Sequence, residues 1–179
     1  MSGHSKWAQI KYKKAASDAK RGKIFSKISR AITIAARELG RDPKTNSKLA
    51  TAIEEAKKAN MPSDNIERAI SKASAKESGE LKEVLYEAYG PGGTAIIITA
   101  VTDNPNRTTN EIKHLLSEHS AKLGVEGSAA WAFDKQGKEF APKYPVALSN
   151  EDSKKFGELL SALDDHDDVQ EVYSNAEIK

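Results

Sequence analysis

Cysteine is absent from this 179-residue chain, which excludes disulfides, thiol chemistry and cysteine-ligated zinc and suits a reducing cytosol. Long apolar runs are missing too: no stretch approaches a bilayer-spanning helix, and the first residues lack the apolar centre of a signal peptide. Ser2 stands where the myristoylation pattern requires glycine, which removes that anchor. These absences lead to the expectation of a cytoplasmic protein with no membrane partner. Catalytic patterns are equally scarce. No Walker loop, dinucleotide fingerprint or Ser, His and acid arrangement occurs, so the expected protein is not an enzyme and needs no cofactor. The histidines are His4, His114, His119 and His166; His114 and His119 are five apart, off a common helix face, and no third metal ligand accompanies them. Asp164, Asp165, Asp167 and Asp168 surround His166, which reads as an acidic helix-to-strand loop, and no metal site is expected.

Acidic residues are scarce in one place above all. The first thirty residues hold Asp18 alone against nine Lys or Arg. Lys6, Lys11, Lys13, Lys14, Lys20, Arg21, Lys23, Lys27 and Arg30 form a one-signed run interrupted by Trp7, Tyr12 and Phe25. Such cations displace counterions from a polyanion, and Trp7 and Tyr12 are suited to stack on bases or pack on sugars. A solvated tail is the plain alternative; the length, single sign and interleaved aromatics of the run favour nucleic acid. The net charge of +2 hides this feature. Residues 1–76 carry 18 Lys+Arg and 7 Asp+Glu, net +11, whereas residues 77–179 carry 10 and 19, net −9, and 11 − 9 returns +2. The acidic half repels phosphate, so binding is expected in the basic half.

Periodicity predicts an α+β protein: an N-terminal three-helix bundle followed by a two-layer α/β sheet domain. Ile24, Ile28, Ile32, Ala35 and Leu39 make one helical stripe ending at Gly40, with Lys23, Lys27, Arg30 and Arg37 on another face. A second helix is capped by Asn46, buries Leu49, Ile53 and Ala56 and stops near Asn60 before Pro62; a third starts at Ser63 or Asp64 with capping-box spacing to Glu67 and buries Ile66, Ala69 and Ile70. Residues 74–82 read as a linker. Strands follow at Val84–Tyr89 and Thr94–Thr102 around a glycine-rich hairpin turn, Gly90–Gly93, then a helix from Arg107 to about Ser120 capped by Asn106. Ser128–Phe133 is expected as a strand with Trp131 in the core, Pro145–Leu148 as a short strand, Glu151–Leu163 as a helix and Val169–Tyr173 as a strand. The expected sheet carries its helices on one face.

Gly3, His4, Ser5, Lys6 and Trp7, followed by Ile10, Lys11, Lys13 and Lys14, resemble the N-terminal signature of the YebC/PmpR family, which includes the mitochondrial translational activator of cytochrome c oxidase. Asn60–Pro62 and Asp64–Ile70 resemble its second motif; Tyr89–Gly93, Thr102–Asn104 with Asn106–Thr108, and Gly127, Ser128, Ala130, Trp131 and Phe133 resemble its central domain. The resemblance covers nearly the whole chain. It implies a cytoplasmic, non-enzymatic regulator acting on nucleic acid, with Gly3, His4, Ser5, Lys6, Trp7, Lys11, Lys13 and Lys14 joined by the later cations as contacts. Two roles are assigned to the family: a translation factor on the ribosome, assisting synthesis through proline-rich stretches, and a DNA-binding transcriptional regulator. A lysine-rich arm with aromatics and no convincing base-reading set favours ribosomal RNA, with DNA as the alternative. The chain departs from the family at Pro105, a position commonly basic. It also departs after Phe133, where members insert a third α/β domain and only about a dozen residues here reach Val146, a length suited to a loop. The expected organisation is a basic region, 1–76, and an acidic α/β domain, 77–179, with the third domain absent.

Overall fold

The computed structural model describes residues 18–74 and 80–177, which form two compact units, one ending at Lys82 and the other beginning at Glu83. None of the described helices is long and apolar enough to cross a membrane.

The first unit is a bundle of three helices: α1 (Asp18–Leu39), α2 (Ser47–Lys58) and α3 (Ser63–Lys72). Ile28, Ile32, Ala35 and Ala36 of α1 meet Leu49 and Ala56 of α2, Met61, and Ile66 and Ala69 of α3 in one apolar cluster. Leu39 departs from its expected place in the stripe and is 56% exposed, because α1 ends there. Gly40 follows at φ 96°, in the left-handed region that a residue without Cβ adopts freely. Asn46 is fully buried and joins two helix ends: its Oδ1 accepts from Leu49 N–H at the start of α2, and its Nδ2 donates to the carbonyls of Ala35 and Gly40. The exit of α2 is a two-bond Schellman cap. Asn60 takes φ 57°, its N–H donates to Lys57 O, and Met61 N–H reaches back to Ala56 O. The α3 start differs from expectation: Pro62 stands at the cap position and no side chain caps it, so the Asp64–Glu67 box does not form.

The second unit is built on a four-stranded sheet in the order β3-β1-β2-β7, from β1 (Lys82–Tyr89), β2 (Ala95–Thr102), β3 (Lys122–Leu123) and β7 (Val169–Ser174). Lys82 therefore belongs to a strand rather than to a linker. The turn between β1 and β2 is a single 3-10 turn at Pro91–Gly93, in which Gly92 has φ 69° and a Cβ there would lie 2.4 Å from Leu148 Cδ2. Alternation along β2 explains its burial on both faces. Ile96, Ile98 and Ala100 meet α4 (Pro105–Glu118) and α5 (Asn150–Asp165), chiefly through Ile112, Leu116, Phe156, Leu159 and Leu163. Ala95 and Ile97 point the other way, against Ala129, Ala132, Phe133 and Tyr173. That second face is covered by the hairpin of β4 (Phe133–Gln136) and β5 (Glu139–Pro142), so the sheet is not layered on one side only. The hairpin occupies the stretch expected as a loop. Short strands β6 (Val146–Ala147) and β8 (Ala176–Glu177) pair in parallel.

Two local readings shift. α4 is capped by Asn104, whose side chain accepts from Arg107 N–H, with Pro105 in the first turn where no donor is needed, so Asn106 lies inside the helix. Ala130–Ala132 is a 3-10 turn and not a strand; this turns Trp131 outward, 57% exposed, with its indole N–H shared between Tyr89 Oη and Ser128 O, each 2.9 Å away. Its ring lies 5.7 Å from that of Tyr144.

Candidate nucleic-acid interface

Of the cationic segment, Gly3, His4, Ser5, Lys6, Trp7, Lys11, Lys13 and Lys14 lie outside the described residues. Lys20, Arg21 and Lys23 occupy the first turns of α1 and are exposed, while Arg30 and Arg37 are half-buried. Lys27 corrects the expected cationic face. It is only 5% exposed, and Ile34, two turns on along the same stripe, is buried as well. Between Lys27 and Ala36, α1 is buried on more than its apolar stripe, and a lysine with four methylenes tolerates such a place through its stem. Phe25, expected among the interleaved aromatics, packs partly against the bundle core.

The fold adds cations that a reading of the first thirty residues misses. Arg68 and Lys72, four residues apart on α3, lie on the helix face turned towards α1, and both are exposed. Neither has an ion pair or hydrogen-bonding partner among the described residues. The helical period alone could have paired them; that they border α1 depends on the packing.

The acidic unit holds its ions differently. Arg107 donates to Asp168 Oδ2 at 2.8 Å, and Thr108 Oγ1 donates to the same oxygen at 2.7 Å. His166 Nδ1 accepts from Asp168 N–H at 3.2 Å, which fixes the proton on Nε2 and lets it donate to Glu111 Oε2 at 2.9 Å. Glu111, His166 and Asp168 have the proximity of a metal-ligand set, but their polar atoms are engaged with one another and with Arg107 and Thr108. Glu87 is buried under the loop that follows β3. Burial alone would raise its pKa, yet N–H groups of Gly127, Ala129 and Ala130, each 2.7 Å away, hold it below the usual glutamate value.

The description "TACO1/YebC protein N-terminal domain" matches residues 5–76, and "TACO1/YebC second and third domain" matches 81–139 and 138–176. The chain belongs to the TACO1/YebC family. A probable transcriptional regulatory protein of Thermoanaerobacter pseudethanolicus is 41% identical over 241 residues, covering 100% of this chain and 98% of that protein. One from Caldanaerobacter subterraneus is 40% identical, covering 100% and 99%. A crystal structure of a conserved hypothetical protein from Aquifex aeolicus superposes with a TM-score of 0.86 at 36% identity, covering 97% of each chain. That likeness extends the family assignment to the α+β architecture.

Proposed function

We propose that this TACO1/YebC member is a non-enzymatic, cytoplasmic regulator of gene expression that binds ribosomal RNA through its basic region and assists elongation through proline-rich stretches. The observation that carries the reading is the run of nine cations from Lys6 to Arg30 against one acid, which continues as exposed Lys20, Arg21 and Lys23 on α1. Binding belongs to residues 1–76, and the acidic residues 77–179 repel the backbone and confine contact to the other region. The match to the Thermoanaerobacter protein runs over 241 residues while this chain has 179, which supports the reading that an internal segment of the family, its third domain, is absent here.

The name of the relatives, probable transcriptional regulatory protein, favours the second reading, a DNA-binding regulator. A reconstituted translation system without DNA separates the two. Wild-type protein should restore elongation on a proline-rich message, and a variant with Lys11, Lys13 and Lys14 replaced by Glu should not, because three reversed charges convert attraction to phosphate into repulsion. No elongation effect together with loss of promoter occupancy by the same variant in cells would favour DNA instead.

A further inference from the structure

The apolar cluster of the bundle stops short of closing one seam, and an open groove of about 260 Å³ remains between α1 and α3. Gly22, Phe25, Ser26 and Ser29 line it from α1, spaced so that all four share one face. Asn65, Arg68, Ala69 and Lys72 line it from α3 at the same spacing, with Met61 at the base. Small side chains on α1 leave the space open: a Cβ built on Gly22 meets nothing within 4 Å. The separation of the helices is set below the groove, where Thr33 Oγ1 lies 2.9 Å from the carbonyl oxygens of both Ser29 and Ala69.

The chemistry of the walls is mixed in a particular way. Phe25 and Met61 offer a flat aromatic edge and a polarisable thioether. Ser26 and Asn65 carry donors and acceptors with no partner among the described residues. At the lip stand Arg68 and Lys72, exposed and without ion pairs there. A purely apolar ligand would leave the cations idle, and a bare phosphate would leave the apolar floor exposed to water. One nucleotide uses both parts: its base enters between Phe25 and Met61, its edge reaches Asn65 or Ser26, and its phosphate lies against Arg68 and Lys72. Paired bases are stacked inside a duplex and cannot enter, so the nucleotide must be unpaired.

We propose that the groove between α1 and α3 is a binding site for a single unpaired nucleotide of an RNA, with Arg68 and Lys72 holding its phosphate. The site deepens the RNA-binding reading and rests on it. It differs from the N-terminal arm in that it selects unpaired bases, whereas the arm's lysines contact any phosphate.

The test compares full-length protein binding to two RNA probes of equal length, a single strand carrying 2-aminopurine and a perfect duplex. Gly22→Leu fills the groove without changing charge, and replacing glycine within a helix leaves the melting temperature at or above that of the parent. This variant should bind the single strand about ten-fold more weakly and lose the quenching of 2-aminopurine, with duplex affinity unchanged. Arg68→Gln with Lys72→Gln should weaken single-strand binding and make its logarithmic salt slope shallower by about one or more. Unchanged single-strand affinity in both variants, or equal losses on the two probes, would overturn the site. A matching loss on single-stranded DNA alone would overturn its assignment to RNA. If the parent protein binds neither probe, the RNA-binding reading itself fails; if only the variants with altered arm lysines lose binding, that reading stands and the groove does not.

Discussion

The bundle and the sheet unit differ in the polar groups they bury, although both carry exposed ion pairs, Lys48 with Glu38 and Lys58 with Glu55 in the bundle. In the sheet unit Arg107 pairs with the buried Asp168, His166 Nε2 donates to Glu111, and exposed Lys138, Lys143 and Lys155 pair with Glu83, Asp134 and Glu151. Glu87 goes further, a buried carboxylate spent on three backbone donors. In the bundle the buried polar joint is neutral, Asn46, while Arg68 and Lys72 stand exposed at a groove without a partner among the described residues. Exposed ion pairs contribute about 0–1 kcal/mol each, so the paired surface ions say little about stability. What the contrast teaches is where charge remains available: a cation already matched to an acid gains less from an approaching phosphate than one facing solvent alone.

The comparison breaks most forcefully at Glu87. Glu87→Ala leaves three N–H groups under the loop without their acceptor and should destabilise the sheet unit by about 3–5 kcal/mol, measured by urea unfolding and by hydrogen exchange at Gly127, Ala129 and Ala130. The pH dependence has a definite sign. Because the folded-state pKa lies below the ordinary value of 4.5, the stabilisation is fully present above 4.5 and is lost as pH falls through the depressed folded value. Glu87→Gln should remove this acid sensitivity, since the amide does not ionise in that range, and should still be destabilised because its NH₂ replaces an acceptor. An acid-unfolding profile identical to that of the parent would show that Glu87 is not the group responsible.

Asn46 is the corresponding joint in the bundle, and its loss should cost less. Asn46→Ala removes a helix cap and two buried hydrogen bonds to carbonyls, an expected destabilisation of about 2–3 kcal/mol, whereas Asn46→Asp keeps the cap to Leu49 N–H but sets a carboxylate against the carbonyls of Ala35 and Gly40. Asp should therefore rescue little. If Asp matched Asn in thermal melting, the cap to α2 and not the link back to α1 would account for the residue.

How much of this was legible in the sequence depends on whether a signal is local. Helices α1 to α3 and the Asn46 cap follow from apolar spacing and from an Asn before an amphipathic run, both of which act within a few residues. The α4 cap lies at Asn104, two residues before the Asn106 that the sequence suggests, because the two asparagines flank Pro105 symmetrically and only the proline's preference for the first helical turn decides between them. Trp131 failed for a different reason. Two-residue alternation with Phe133 put it in the core, but Glu87, more than forty residues earlier in sequence, draws the N–H groups of Ala129 and Ala130 into a turn that breaks the alternation. The groove is equally non-local. Gly22 and Arg68 belong to one site only after α1 and α3 have packed, and no spacing within either helix announces that they meet.

The smallest effect sharpens the same contrast through the two tryptophans, one in each half of the sequence. Trp131 is exposed in the acidic unit, held by hydrogen bonds to Tyr89 and Ser128 and by the ring of Tyr144. Trp131→Ala should lower stability by about 0.5–1.5 kcal/mol, the value of an aromatic pair with its polar anchor, and leave RNA affinity unchanged because it lies in the half of the chain with net negative charge. Trp7 lies in the basic run with few apolar neighbours in sequence, so Trp7→Ala should keep the parent's melting temperature and weaken RNA binding by about 1–3 kcal/mol through a lost base stack. Measuring melting and RNA affinity for both variants gives four numbers, and the expected pattern is one change in each variant on opposite axes. Weakened RNA binding in Trp131→Ala would place an RNA contact on the acidic unit and erase the division of labour that the charge split implies.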